Sequence, residues 1–308
     1  MQLNTLIQKT IEGNRQALAR LITLLETDKD TAIQILRLLP KSNEKSFIVG
    51  ITGAPGVGKS TFIGKLAQKL AEKNLKVGIL ANDPSSPFSG GAILGNRLRM
   101  DKALSNDNIF IRSITTRGAI GGISWLTDMI LKVFEIAGYS TILIETVGSG
   151  QTDLEISRIA DLILIVTMPE LGDEIQALKA GLLELADAVI LNKCDLPAAQ
   201  SSYTKLRLTL PKEIPIFKVS ALNDQGILEV TEYLLQKKND PNFSQRDRKR
   251  KRIKDALLRL TINKILESDI IAQNDLGNYV NAILEREITI EQASWELAEK
   301  ILKKIFGQ

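Results

Sequence analysis

Residues 50 to 61, with the sequence GITGAPGVGKST, combine glycines, a lysine and two hydroxyl side chains at a spacing that suits phosphate binding. Gly53, Gly58, Lys59 and Ser60 satisfy the P-loop pattern. The glycines allow a tight turn whose N–H groups face a β-phosphate, Lys59 would reach the β- and γ-phosphates, and the Ser60 hydroxyl would bind magnesium. The predicted phosphate-binding set is Gly53, Ala54, Pro55, Gly56, Val57, Gly58, Lys59, Ser60 and Thr61.

A second motif, NKCD at residues 192 to 195, indicates which base is bound. The Asp195 carboxylate can accept hydrogen bonds from both N1–H and N2–H of guanine, whereas adenine offers no such donor pair. The stem of Lys193 would pack on the base plane, and a backbone N–H of the run SAL could donate to guanine O6. The pattern predicts a preference for guanine nucleotides. The predicted base-binding set is Asn192, Lys193, Asp195, Ser220, Ala221 and Leu222.

Two acidic residues end apolar runs, Asp83 in KVGILAND and Glu145 in STILIE. The carboxyl ends of parallel strands line the ligand crevice, and hard oxygen ligands suit Mg²⁺. The N–H of Gly148 could sense a γ-phosphate. For Asp83, a turn-capping role in DPSS is the alternative. We predict a magnesium site of Ser60, Asp83 and Glu145, and a catalytic set of Lys59, Asp83, Glu145 and Gly148.

The segments SSPFSGGAILGNRLRM and TTRGAIGGIS follow these acids and are rich in glycine and serine. They are typical of switch segments that a γ-phosphate orders. Arg97, Arg99 and Arg117 are candidates for pairing with phosphate or with a partner protein. A solvated basic face is an equally good interpretation of each.

These motifs require an α/β framework to position them. Seven short runs rich in Ile, Val and Leu alternate with helical or loop stretches, which predicts a doubly wound, mostly parallel sheet over residues 45–238. Apolar residues at intervals of three and four predict a helical N-terminal extension over residues 1–44. After a linker rich in Asn, Pro and Ser, the same periodicity predicts a C-terminal helical extension over residues 239–308.

Composition excludes several kinds of chemistry. The 308-residue chain has one cysteine and no histidine, which excludes internal disulfides, Cys/His metal clusters and a histidine general base. Of the basic residues, seven fall in RDRKRKRIK at residues 246–254, and aromatic residues make up only 5% of the chain, so we expect no nucleic-acid binding. No secretory signal and no membrane-spanning run is present, so we expect a cytoplasmic protein.

Together, the motifs resemble the MeaB/ArgK family of P-loop GTPases, which also carries the label LAO/AO transport system kinase and belongs to the signal-recognition-particle-type class. The matching stretches include GAPGVGKST, NDPSSPFSGGAILG, ETVGSGQTDLEI and GDEIQALKAGLLELADAVILNKCD. They extend over about residues 10 to 260.

The resemblance implies a magnesium-dependent enzyme that hydrolyses GTP to GDP. It also implies a chaperone of a cobalamin-dependent acyl-CoA mutase, such as methylmalonyl-CoA mutase, and a homodimer formed through the C-terminal helices. By motif, Ser60, Asp83 and Glu145 correspond to magnesium-site residues. Gln176 and Lys179 correspond to the segment that transmits the nucleotide state to the mutase.

The chain departs from the family pattern mainly in its switch segments. Asn96 in LGNR stands where the family has Asp, and Leu196 follows NKCD where the family has Gly. GSGQTD and PELGDE replace the family's GVGQSE and PGAGDE. The P-loop itself matches the family pattern. The departures in the switch segments leave open that hydrolysis is slow, or that the partner is not methylmalonyl-CoA mutase.

Several other functions compete with this one. A GTP-dependent scaffold, or a transport-associated NTPase with slow hydrolysis and an unrelated partner, is the main alternative. In a scaffold, the basic segment would dock on nucleic acid or anionic lipid, whereas a solvated helix start is its simpler interpretation. A nickel metallochaperone would need more Cys and His than this chain has. A signal-recognition GTPase would differ after the second strand, and a kinase would need an acceptor site.

Overall fold

The computed structural model confirms all seven apolar runs as β-strands. It describes residues 3–27, 29–40, 46–83, 106–115, 125–146, 159–169, 186–240 and 243, and four single positions, 278, 282, 292 and 296. For residues 29, 82, 83, 115 and 125 it describes the backbone alone.

The strands form one sheet in which every neighbouring pair is parallel. They are β1 (Phe47–Thr52), β2 (Val77–Asp83), β3 (Ile109–Thr115), β4 (Thr141–Glu145), β5 (Leu162–Thr167), β6 (Ala188–Leu191) and β7 (Ile216–Lys218). Their order across the sheet is β3-β2-β4-β1-β5-β6-β7. Strand β1 is central, so the loop that follows it opens at the middle of the carboxyl edge.

The described helices are α1 (Leu3–Ile11), α2 (Arg15–Thr27), α3 (Lys29–Leu38), α4 (Lys59–Glu72), α5 (Trp125–Ile136), α6 (Ala199–Thr209) and α7 (Ile227–Asn239). They cover both faces of the sheet. Along β1, Ile48 joins a core that contains Leu21 of α2 and Phe134 of α5. Its neighbour Val49 joins a second core with Phe62 of α4. The two cores on opposite faces confirm the doubly wound arrangement.

The N-terminal helices pack on the sheet through both apolar and polar contacts. Leu18, Leu21 and Ile22 of α2 are buried in the same core as α5. In addition, Arg112 of β3 donates hydrogen bonds to the Glu26 carboxylate of α2, with both side chains largely shielded from solvent. Helix α2 is therefore fixed to edge strand β3.

The chain divides into two compact units, Met1–Lys249 and Arg250–Gln308. The first contains helices α1 to α7 and the whole sheet. In the second, the four described positions are helical. Within the part of the chain that the structure describes, no helix is long and apolar enough to cross a membrane.

Candidate functional site

The loop between β1 and α4, the predicted phosphate-binding loop, turns through three glycines with positive φ values. Gly53, Gly56 and Gly58 adopt φ values of +145°, +81° and +93°. Residues other than glycine rarely adopt positive φ values of this kind. A Cβ on Gly53 would lie 2.0 Å from the Val166 carbonyl oxygen of β5. Glycine at this position is therefore required both by the turn and by the neighbouring strand.

Lys59, the first residue of α4, turns its side chain back onto this loop. Its ammonium donates hydrogen bonds to the carbonyl oxygens of Gly53 at 2.6 Å and Ala54 at 3.0 Å. The side chain is buried, with 7% of the residue exposed. The positive charge is thus held at the mouth of the loop, beside the amino end of α4, where an anion is stabilised by the helix dipole.

Ser60 and Glu145 come together at the carboxyl edge of the sheet. The Ser60 hydroxyl donates a hydrogen bond to Glu145 Oε1 at 2.8 Å. Glu145 ends β4, where it is paired with Ile51 of β1 and Ala81 of β2. Strand β2 continues two residues beyond Ala81 to Asp83, so the Asp83 backbone reaches the same edge. A buried carboxylate beside a hydroxyl is a set of hard oxygen donors that fits Mg²⁺.

The loop that follows β6 is joined directly to the loop between β1 and α4. The Asn192 amide donates from Nδ2 to the Val57 carbonyl oxygen at 2.8 Å. Its Oδ1 accepts a hydrogen bond from the Ala221 N–H at 3.0 Å. Asn192 is 2% exposed. One buried side chain therefore connects the P-loop, the NKCD motif and the SAL run.

Lys193 makes a second connection between the same two loops. It has a φ of +56°, and its ammonium donates to the Gly56 carbonyl oxygen at 2.9 Å and lies 3.0 Å from Met168 Sδ. The contact with Met168, just beyond β5, was not predicted from the sequence. Neither residue type carries a signal for such a pairing, so no motif could have revealed it.

Asp195 is exposed at the end of this loop, and Cys194 is partly buried beside it. Burial raises the pKa of the Cys194 thiol, and the negative charge of Asp195 raises it further. The thiol is therefore predominantly protonated at neutral pH and is a weak nucleophile. Of the SAL run, Ser220 and Ala221 are buried, whereas the Leu222 side chain is 81% exposed.

The structure thus brings together the P-loop, Glu145, Asn192, Lys193 and Ala221. The remaining predicted residues are not all described. Those outside the described residues are Gly148, Arg97, Arg99, Arg117, Gln176, Lys179 and the side chain of Asp83, together with Asn96 and the 246–254 basic segment.

Comparison with known proteins identifies the family. The model of the family described as "Methylmalonyl Co-A mutase-associated GTPase MeaB" matches residues 18–274. The chain belongs to the MeaB family. The chain is accordingly a GTPase. A relative from Pyrococcus abyssi is 36% identical over 99% of this chain and 97% of its own length.

Two further relatives of this MeaB-family chain match it over a shorter range. GTPase ArgK of Escherichia coli is 36% identical over 61% of this chain and 58% of its own length. The mouse protein named methylmalonic aciduria type A homolog, mitochondrial, is 35% identical over 71% of this chain and 59% of its own length. A crystal structure of a LAO/AO transport system kinase superimposes with a TM-score of 0.68, at 23% identity and 97% coverage of both chains, which confirms the fold.

Proposed function

We propose that this MeaB-family protein is a magnesium-dependent GTP switch that acts as a chaperone of a cobalamin-dependent acyl-CoA mutase. The observation that carries the nucleotide part is the Asn192 bridge. It connects the phosphate-binding loop to the loop that bears Asp195 through Val57 and Ala221. Recognition of phosphate and of base is thereby coupled in one rigid unit.

Each residue then has a role that follows from its position. The turn of the P-loop presents backbone N–H groups to the phosphates. Lys59, which contacts the Gly53 and Ala54 carbonyls, exchanges them for the β- and γ-phosphate oxygens when nucleotide binds. Asp195 accepts hydrogen bonds from guanine N1–H and N2–H. Lys193 holds its loop against the P-loop through the hydrogen bond to the Gly56 carbonyl oxygen.

Ser60 and Glu145 would hold the magnesium ion, with Asp83 at the same edge of the sheet. When bound, Mg²⁺ would supply positive charge that offsets the negative charge developing during phosphoryl transfer. The Ser60 hydroxyl contributes one oxygen, and the Glu145 carboxylate, buried at the strand end, orients the hydroxyl and supplies negative charge.

The mutase partner is supported by the family rather than by the site. The family description names a methylmalonyl-CoA mutase association, and the mouse relative is named for methylmalonic aciduria.

We extend the proposal to a cytoplasmic homodimer formed through the C-terminal extension. Residues 1–44, 45–238 and 239–308 are the proposed N-terminal extension, GTPase domain and C-terminal extension. Gln176 and Lys179, with Arg97, Arg99 and Arg117, are the proposed switch and partner residues.

The test is a GTP hydrolysis assay on the purified protein with Mg²⁺, alone and with methylmalonyl-CoA mutase added. We expect the mutase to accelerate hydrolysis of GTP but not of ATP. Lys59→Ala should lower the rate at least about a hundredfold, because it removes a donor aimed at developing charge. Lys73→Ala, which removes an exposed lysine just after α4, is the matched control and should leave the rate unchanged.

The two parts of the proposal can fail separately. Hydrolysis of GTP that does not respond to the mutase would refute the chaperone role and favour a GTP-dependent scaffold with another partner. Equal hydrolysis of GTP and ATP would refute the assignment of the base-binding loop. Light scattering that gives the mass of one chain would refute the homodimer.

A further inference from the structure

A cavity of about 210 Å³ lies at the opposite edge of the sheet from the nucleotide site. Its walls come from the α1–α2 turn and from the residues that lead into β2, β3 and β4. Because all the strands are parallel, their amino ends lie roughly 20 Å from the carboxyl edge. The cavity is therefore separate from the P-loop, and its volume is well above what one water molecule needs.

Lys76 places an ammonium group at this cavity. Its Nζ lies 3.7 Å from the position that a Cβ on Gly13 would take and 3.9 Å from the corresponding position on Gly138. Both glycines have positive φ values and follow the carboxyl ends of α1 and α5. The ammonium therefore lies beside the backbone of both turns, where neither glycine carries a side chain. Among the described residues, none accepts a hydrogen bond from it.

Arg15 supplies a second positive charge, and this one is fixed in place. Its guanidinium donates to the carbonyl oxygens of Asn106 at 3.2 Å, Asp107 at 2.8 Å and Ile109 at 2.7 Å. It also lies 5.9 Å from the centre of the Phe110 ring. These carbonyl partners are neutral, so they do not neutralise the positive charge of the guanidinium. Because they already hold it in one orientation, little side-chain entropy is lost when an anion binds.

Tyr139 contributes a hydroxyl on the same wall. Its ring packs edge-on against Phe110 and Phe134, and the residue is 6% exposed. Burial raises the pKa of the phenol while the Arg15 charge opposes the rise, so the hydroxyl stays protonated and can donate. Within the described part of the chain, this hydroxyl has no hydrogen-bond partner.

Charges of both signs lie at the cavity. The carboxyl ends of α1 and α5 each contribute about half a negative charge, against the two full positive charges of Lys76 and Arg15. The Asp107 carboxylate also lines the cavity, 3.8 Å from Arg15 Nη1, and like Lys76 it is exposed, so solvent and salt screen both of these charges and directed hydrogen bonds would hold the anion. Leu18 and Ala137 complete an apolar wall.

We propose that this cavity binds a small oxyanion, a phosphate or carboxylate group, through Lys76, Arg15 and the Tyr139 hydroxyl. The ligand would connect the α1–α2 turn to the amino edge of the sheet. An ammonium as a point charge, an oriented guanidinium and a hydroxyl donor suit the several lone pairs of such a group. The site is independent of the proposed nucleotide function.

The test is calorimetric titration of the full-length protein, saturated with a non-hydrolysable GTP analogue and Mg²⁺ so that the β- and γ-phosphate positions of the P-loop are both filled. Inorganic phosphate and succinate are titrated separately, at constant ionic strength set with chloride. We expect at least one of them to bind with roughly millimolar affinity. Phosphate alone would identify a phosphoryl ligand and succinate alone a carboxylate, and either result supports the site.

Three variants assign the binding to this cavity. Lys76→Met keeps the apolar stem and removes the charge, and it should weaken binding about tenfold or more. Tyr139→Phe keeps the ring packing and removes the hydroxyl, and it should weaken binding at least about fivefold, which also tests the site if Lys76→Met does not fold. Lys73→Met, an exposed charge outside the cavity, should change nothing. Absence of binding by both anions, or equal binding by the Lys76→Met and Lys73→Met variants, would overturn the proposal.

Discussion

Replacing Asn192 by alanine tests the connection between the two nucleotide loops. The side chain accepts from the Ala221 N–H and donates to the Val57 carbonyl, and both of these residues are almost completely buried. Alanine can do neither. The backbone bond from the Asn192 N–H to the Thr167 carbonyl oxygen is unaffected, so β6 keeps its place in the sheet.

The cost follows from the two backbone groups that lose their partners. A buried donor or acceptor left unsatisfied costs about 1–3 kcal/mol. For Asn192→Ala we therefore expect the free energy of unfolding to fall by about 2–4 kcal/mol, after some relaxation of the loops. Because typical domains have about 5–15 kcal/mol of stability, the variant should remain folded. GTP affinity should fall at least about tenfold, since the loops are no longer held in register.

A double-mutant cycle with Gly58→Ala tests whether the Asn192 side chain lies against the P-loop. A Cβ on Gly58 would lie 2.4 Å from Asn192 Nδ2, and the residue has a φ of +93°. In the wild type, Gly58→Ala suffers both the clash and a backbone cost of about 1–2 kcal/mol. In the Asn192→Ala background only the backbone cost remains. The second substitution should therefore be less destabilising there by at least about 1 kcal/mol.

Urea unfolding of the four proteins, monitored by circular dichroism, measures these free energies. Asn239→Ala, a change of the same chemistry at an exposed position at the end of α7, should stay within about 0.5 kcal/mol of wild type. If Asn192→Ala costs no more than this control, or if the two substitutions are strictly additive, the Asn192 bridge does not exist as described.

Three further substitutions test other contacts. Arg112→Met leaves the Glu26 carboxylate without its partly buried partner, so the free energy of unfolding measured in urea should fall by about 1–3 kcal/mol. An unchanged urea midpoint would mean that α2 is held by apolar packing alone. Because the pKa of Cys194 is raised, iodoacetamide should label the thiol slowly near neutral pH, and the rate should rise about tenfold per pH unit above that. Asp195→Asn should speed labelling, because it lowers this pKa. Fast, pH-independent labelling would contradict a partly buried thiol beside a carboxylate. Ser60→Ala should raise the Mg²⁺ concentration for half-maximal hydrolysis at least about tenfold, and no change would remove the hydroxyl from the proposed metal site.

Local pattern predicted the elements of this fold well, because buried parallel strands appear as continuous apolar runs. TILIE and LILIVT are examples, and both are fully buried strands. Their order across the sheet was not predicted. Strand β1 pairs with β4 and β5, which lie far along the chain, and that choice depends on how the crossover helices pack rather than on any strand's own residues.

The site divides in the same way. The P-loop and NKCD are short motifs whose chemistry is carried by consecutive residues, so their presence and their loop positions were predictable. The contacts that join them were not, because Asn192 Nδ2 to the Val57 carbonyl spans 135 residues and Lys193 Nζ to the Gly56 carbonyl spans 137. Such pairs form only once the sheet has brought the loops at its carboxyl edge together.

The measurement that tests the central claim most directly compares GTP and xanthosine triphosphate as substrates of wild type and of Asp195→Asn. Xanthine carries an oxygen where guanine carries the N2 amino group, so an asparagine amide can donate there while its oxygen still accepts from N1–H. We predict that wild type prefers GTP by kcat/KM, and that the variant loses GTP turnover about 10- to 100-fold while gaining turnover of xanthosine triphosphate. Unchanged GTP preference in Asp195→Asn would show that Asp195 does not contact the base, and the nucleotide site as described here would be wrong.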